Sequence, residues 1–293
     1  LTRRAFIIIS SKMPELPEVE TVRAILEKRV VGKTVRDVLI RYEKIIKNTS
    51  SEEFAARLKG AKLTDISRRG KYLLFIFDKA ILLSHLRMEG KYLLAADNPY
   101  SKHEHVVFFF TDGSELRYHD MRKFGTMHLF ETTDLISVME SEPLKKMGLE
   151  PFDDRLTPDY LAGKIANSKR SVKSILLDQT IISGLGNIYV DEVLFLSRIH
   201  PAAPGGTLDR ASLKLLIENV RIVLNKAIAY GGTTVKSFQA TDEVSGRFQN
   251  YLMVHTKAEC PSCHRPVSKI RVAGRGTYLC EHCQIKPAGA DYL

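Results

Sequence analysis

The chain has no cysteine to spare for disulfides. Its four cysteines, Cys260, Cys263, Cys280 and Cys283, all fall near the C-terminus as two CxxC pairs. That spacing suits a metal, and the absence of other cysteines fits a reducing cytoplasm. No stretch of about 18 uninterrupted apolar residues occurs, which argues against a membrane span. Acidic residues are short: 34 Asp+Glu stand against 44 Lys+Arg, a formal charge of +10. A protein with that balance is expected to meet a polyanion, although charge alone says nothing of reaction. There is no heptad and no internal repeat, so a monomer is expected.

What is present divides by texture. The segment Leu1 to Lys12 opens without methionine, and its apolar run Phe6-Ile7-Ile8-Ile9 is shorter than the about 7 residues a signal peptide needs. It reads as upstream sequence; without Arg3, Arg4 and Lys12 the charge of +10 falls by three and the chain stays basic. If Met13 initiates and is removed, Pro14 becomes an N-terminal secondary amine. Such an amine, with a pKa near ~8, can attack an aldehyde-level carbon and form an iminium. Composition alone favours the plainer reading, a common Met-Pro start with Pro17 as a first-turn helix proline. Helical spacing of Val22, Ile25, Leu26 and Val30 follows, with Glu18 and Glu20 in the first turn and Gly32 as a stop. Glu15, beside the amine, is a candidate general acid/base or simply a surface carboxylate.

From Val35 to about Glu131 short β-rich runs dominate: Val35 to Ile40, Tyr72 to Phe77, Ile81 to His85, His105 to Phe110, Leu116 to His119 and Met127 to Phe130. A β-sandwich or distorted barrel is predicted, with a short helix over Phe54 to Leu58. Arg68-Arg69-Gly70-Lys71 is a basic turn into a strand, and by pattern alone Lys71 could be a solvated charge. Leu149 to Asp154 reads as a linker. Thr157-Pro158 caps a helical domain, whose most regular helix follows Asp209 and carries the apolar stripe Leu213, Leu216, Ile217, Val220, Val223, Leu224 and Ile228, stopped by Gly231-Gly232. Gly184-Leu185-Gly186-Asn187 opens another helix, a place where backbone N–H groups can meet a phosphate. The two CxxC pairs at the end, sixteen residues apart, predict a tetrahedral four-cysteine zinc site on a β-hairpin. Four thiolates leave no position for water, so the metal is structural. Between Ser237 and Phe248 lies a polar, glycine-containing loop, either a lid or ordinary surface.

Several of these strings together resemble the formamidopyrimidine-DNA glycosylase family of the helix-two-turn-helix superfamily. They are Met13-Pro14-Glu15-Leu16-Pro17-Glu18, Arg68 to Lys71, Ser84 to Gly90, Arg117 to Gly125, Lys169 to Glu192, and Val272 to Thr277 between the cysteine pairs. The resemblance implies an α+β multidomain fold: an N-terminal β-sandwich with flanking helices, a helix-two-turn-helix domain and a C-terminal zinc-finger β-hairpin. The expected boundaries are 1–12 (absent from the mature protein), 13–148 (catalytic sandwich), 149–156 (linker), 157–236 (helix-two-turn-helix), 237–254 (lesion loop and connection), 255–285 (finger) and 286–293 (tail).

The same resemblance implies roles. Pro14 is the nucleophile, Glu15 the general acid/base, Lys71 a proton donor and phosphate contact, and Arg275 a phosphate ligand that also serves δ-elimination. His103 and Asn187 contact DNA. Met88, Arg122 and Phe124 fill the void left by an extruded base, the arginine facing the orphan cytosine. The implied activity is a glycosylase/AP lyase for 8-oxoguanine and formamidopyrimidines opposite cytosine in duplex DNA, with one structural Zn2+, no organic cofactor, and a bacterial cytoplasmic, nucleoid-associated location. Two alternatives stay open: an endonuclease VIII-like oxidised-pyrimidine glycosylase, and a non-catalytic zinc-finger DNA-binding protein. Two departures stand out: His264 occupies a usual glycine position, and Val254-His255-Thr256 replaces Val-Tyr-Gly.

Overall fold

The computed structural model describes residues 13–95, 99–233 and 246–285. They fall into two compact units. One holds the described residues up to Lys145 with 231–233 and 246–247; the other holds Lys146–Tyr230 and those from Phe248 on.

The first unit opens with helix α1 (Leu16–Val30), whose buried side includes Leu16, Val19, Val22, Leu26 and Val30. Pro17 in the first turn pre-sets the helical backbone, and Glu18 suits the positive end of the helix. Eight strands follow: β1 (Val35–Ile40), β2 (Leu63–Arg69), β3 (Tyr72–Phe77), β4 (Ile81–His85), β5 (Lys91–Ala95), β6 (Glu104–Phe110), β7 (Glu115–His119) and β8 (Thr126–Phe130). They form two antiparallel sheets, in the orders β1-β6-β7-β5 and β2-β3-β4-β8. Side chains alternate across each strand. Leu73, Phe75, Leu82, Met127 and Leu129 of one sheet therefore join Val38, Tyr92, Val106, Phe108, Leu116 and Tyr118 of the other in a single buried cluster. This is the predicted sandwich. Helix α2 (Ser51–Leu58) packs on β1 through Phe54 and Leu58, and Ser50 caps it.

The second unit contains α4 (Pro158–Ile165), α5 (Val172–Leu176), α6 (Asn187–Leu196) and α7 (Arg210–Ala229), after the short α3 (Leu135–Met139) of the first unit. The Thr157 hydroxyl accepts the Tyr160 N–H at 3.2 Å, and Asp209 accepts the Ser212 N–H at 2.8 Å. The first is the predicted cap, and the second stands where the long helix was expected to begin. Along α7 the predicted stripe is buried, with Ile228 at its half-buried edge. A hairpin of β9 (Ser268–Val272) and β10 (Arg275–Leu279) closes the unit. No helix among the described residues is long and apolar enough to cross a membrane.

Candidate active site and nucleic-acid interface

Pro14 stands directly before Glu15, the N-cap of α1, and a capping box joins Glu15 to Glu18. The Glu15 N–H donates to Glu18 Oε2 at 3.0 Å. The other oxygen, Oε1, accepts from the Thr233 N–H at 2.8 Å and from its hydroxyl at 3.1 Å. Both Gly231 and Gly232 have positive φ, and a Cβ on Gly232 would overlap the Glu18 side chain. The chain can reach the carboxylate there only because glycine has none. One buried acid thus fixes the backbone beside Pro14 and the last described residue before the 234–245 stretch. Glu18 was legible as a helix-start acid, but its second partner, 215 residues away, was not. Most of the predicted Ser237 to Phe248 loop, the 1–12 extension and the 286–293 tail lie outside the described residues.

Lys71 follows Gly70, whose φ of 55° makes the turn between β2 and β3. Lys71 is 8% exposed, so it is no free surface charge. Burial, then the Arg87 and Lys71 charges, push His85 down to about 3. The two loops that carry the predicted wedge residues follow β4 and β7. Arg87 and Lys123, neighbours of Met88 and of Arg122 and Phe124, both have left-handed backbone, with φ of 55° and 57°. Phe124 is 52% exposed and its neighbour Met121 59%. The Arg122 guanidinium lies over the Phe124 ring, 4.8 Å from its centre. Phe124 is thus presented to solvent beside a cation rather than packed into the core. The His103 ring sits 5.5 Å from that of His119.

In the second unit α6 starts at Asn187 after Gly186, and no side chain caps it. Asn187 Nδ2 donates to the Gly276 carbonyl at 2.9 Å, which ties this helix start to the hairpin that bears exposed Arg275. An amide nitrogen has a second hydrogen for a phosphate. Beneath them is a buried polar knot that sequence reasoning did not identify. Lys173 Nζ meets Asp191 Oδ1 at 2.6 Å with both side chains fully buried, and it also donates to the Gly276 carbonyl at 3.3 Å. Asp191 Oδ2 accepts from His255 Nδ1 at 2.8 Å and from the Tyr278 N–H at 3.1 Å. Removing one partner of so buried a pair leaves an uncompensated charge, at a cost of about 3–5 kcal/mol.

The four cysteine sulfurs lie within 4.8 Å of one another. Cys260 to Cys283 is 3.8 Å and Cys263 to Cys280 is 3.4 Å. A tetrahedron with Zn–S of about 2.3 Å has edges of about 3.8 Å, so the donor set fits zinc in size and chemistry. Zinc there would hold the base of the β9–β10 hairpin.

Three family models match the chain in sequence. They are the formamidopyrimidine-DNA glycosylase N-terminal domain over residues 13–127, its H2TH domain over 147–239, and a zinc finger found in FPG and IleRS over 259–285. The formamidopyrimidine-DNA glycosylase of Bacillus licheniformis is 48% identical over 278 residues, covering 94% of this chain and 100% of the relative. The chain belongs to the formamidopyrimidine-DNA glycosylase family. That of Geobacillus kaustophilus is 46% identical, over 93% of this chain and 100% of its own. Among solved structures, Lactococcus lactis Fpg in complex with N7-benzyl-Fapy-dG-containing DNA has a TM-score of 0.85 at 42% identity, covering 93% of this chain and 100% of that one. The same protein with abasic-site DNA has a TM-score of 0.85 at 41% identity, with the same coverage. The family's finger explains the sulfur cluster as one structural zinc site. Thr256 and His264, the two finger positions noted above as departing from the resemblance, both have positive φ, 65° and 58°.

Proposed function

We propose that the protein excises oxidised purines, 8-oxoguanine and formamidopyrimidines, from duplex DNA opposite cytosine and cleaves the strand at the resulting site. With Met13 removed, the Pro14 nitrogen attacks C1′ of the extruded nucleoside. The glycosidic bond breaks and the base leaves with a proton. Glu15 protonates the sugar ring oxygen as the ring opens to an iminium. That iminium acidifies the C2′ hydrogen, so the 3′ phosphate leaves by β-elimination and the 5′ phosphate by δ-elimination. Hydrolysis then frees the amine. No step needs a redox partner.

The observation that carries this reading is the setting of Pro14. It precedes the N-cap of a helix whose first turn is locked by Glu18 to Thr233. The positive end of a helix disfavours an ammonium, which raises the fraction of free amine at neutral pH. Buried Lys71 is assigned to phosphate and proton transfer; Asn187, Arg275 and His103 to the DNA backbone. Met88, Arg122 and Phe124 replace the extruded base, which costs a few kcal/mol of stacking to remove. Arg122 then reads cytosine and biases excision away from adenine. The zinc holds the finger and takes no part in chemistry. The enzyme is assigned to the bacterial cytoplasm as a monomer on chromosomal DNA.

Borohydride trapping on an 8-oxoguanine:cytosine duplex, with intact mass of the protein, tests it. A covalent adduct on a chain beginning at Pro14 is expected. Pro14→Gly should keep DNA binding while excision drops at least about 100-fold, near 2.7 kcal/mol of transition-state stabilisation. Undiminished excision by that variant would rule out Pro14 as the nucleophile, and no adduct from a chain beginning at Pro14 would leave a DNA-binding protein without this chemistry.

A further inference from the structure

The two loops that present Met88 and Arg122-Phe124 come from different sheets, yet both rest on one side chain. A Cβ on Gly90, at the end of the first loop, would overlap the Tyr118 hydroxyl; so would a Cβ on Gly125, at the end of the second. Both glycines are therefore sites of close approach rather than of loose backbone. Tyr118 is fully buried, its ring 5.3 Å from that of Tyr92, whose own hydroxyl donates to Ser84 at 2.7 Å. Burial foremost, then the nearby Asp120 charge, holds the Tyr118 pKa well above the ordinary tyrosine value, so its hydroxyl remains a donor.

That hydroxyl faces Asp120, which has no exposed surface. Asp120 Oδ2 accepts from Tyr118 at 3.4 Å and from the Gly125 N–H at 2.8 Å, while Oδ1 accepts from the Arg122 N–H at 2.9 Å. The carboxylate thus spans the whole Arg122-Lys123-Phe124 turn, including the left-handed Lys123. Its backbone reaches the third element: the Asp120 N–H donates to the His103 carbonyl at 2.9 Å, and its own carbonyl lies 2.7 Å from His105 Nε2.

We infer that Tyr118 and Asp120 are positioning residues that lock the Met88 loop, the Arg122-Phe124 turn and His103 into one rigid wedge, so that base extrusion and cytosine reading depend on a buried pair that touches no DNA. The inference rests on the wedge reading given above. Its physical logic is that a side chain pushed into a base stack must not yield. A turn with a left-handed non-glycine residue is strained and would relax unless over-determined from below.

The test uses the full chain begun at Pro14 with Asp120→Asn and Tyr118→Phe, alongside Phe124→Ala as the direct wedge variant. An asparagine can accept on only one side; its NH2 would face a backbone N–H of the turn. Two single-turnover rates are measured: excision from an 8-oxoguanine:cytosine duplex, and borohydride trapping on a single-stranded abasic oligonucleotide, which has no stack to fill. Excision by Asp120→Asn should fall about 10- to 100-fold, the scale expected of a misplaced supporting group, with trapping unchanged. Its preference for cytosine over adenine opposite the lesion should narrow as well. Tyr118→Phe, the milder change, should move both quantities in the same direction by a smaller factor.

If Phe124→Ala loses extrusion while Asp120→Asn and Tyr118→Phe excise normally, the positioning inference is overturned and the wedge stands. If Phe124→Ala itself excises normally, the wedge reading fails first and the inference with it. Equal loss of excision and trapping in Asp120→Asn, with Tyr118→Phe unaffected, would mark a general folding defect and also overturn it.

Discussion

His85 bears on two loops at once. Its Nδ1 accepts the Arg87 N–H at 2.9 Å, a bond that needs a lone pair and hence a ring without a proton on Nδ1. Burial first, then Arg87 and Lys71, lower its pKa from 6.5 to about 3. His119 is lowered from 6.5 to about 4 by burial, then by Lys91, His103 and His105. Below pH 6.5 the unfolded chain takes up these protons and the folded chain refuses them, so the stability they supply is complete above that pH and is lost as pH falls toward the folded values. Urea midpoints should therefore drop between about pH 7 and pH 5, where most carboxylates are still ionised. Replacing both histidines with glutamine should flatten that dependence even if it lowers stability overall. An unchanged pH slope in the double variant would show that the two rings are accessible to protons in the folded state. At this scale the sequence was informative where chemistry is carried by residue type and spacing, as with the four cysteines. It was silent where a role depends on a distant partner, as with Glu18 and Thr233 or Lys173 and Asp191.

Elements were legible to the degree that their patterning is local. Six of the eight sandwich strands show β-rich runs. β2 was not recognised because a bulge between Leu63 and Asp65 shifts its register and breaks the alternation. β5 is a five-residue edge strand whose sequence Lys-Tyr-Leu-Leu-Ala has no period-2 pattern. The finger shows the opposite case, where residue choice becomes intelligible only through backbone geometry. Thr256 and His264 both occupy left-handed positions, with φ of 65° and 58°. Histidine tolerates that region better than a β-branched residue does. The Thr256 hydroxyl reaches the His255 carbonyl at 2.6 Å, which recovers part of the strain. Thr256→Gly should thus stabilise the protein by about 0.5–1 kcal/mol, the strain released less the extra entropy of an unfolded glycine. His264→Gly should gain less. Denaturant midpoints decide it, and a larger gain at His264 would mean that steric strain is not what separates these two sites.

For the whole molecule, a charge of +10 supplies attraction to DNA, but the number of phosphates held is set by a few built contacts. In the second unit the contacts proposed above are the α6 start and the β9–β10 hairpin, the latter secured at two places. Near the tip, Gly276 is bonded by Asn187 and Lys173, and Tyr278 by Asp191. At the base, Cys260 and Cys280 pack with Phe195 and Val254 in one apolar cluster around the zinc site. The tip contacts cannot keep the hairpin in place alone, because each strand has only five residues and an isolated two-stranded hairpin is marginal in water. Each neutralised phosphate contributes a slope of about −0.9 to log K against log[salt] on duplex DNA. Arg275→Ala should therefore reduce the slope's magnitude by about 1, with little change in preference among lesions. Zinc-stripped protein should lose at least as much, and in it the Arg275→Ala change should have almost no further effect, since the hairpin that aims the guanidinium is gone. Fluorescence titration across a salt series, with and without metal, measures all four slopes. If Arg275→Ala still costs a full unit in the zinc-free protein, the hairpin is held by the Lys173–Asp191 knot alone, and the metal has another role.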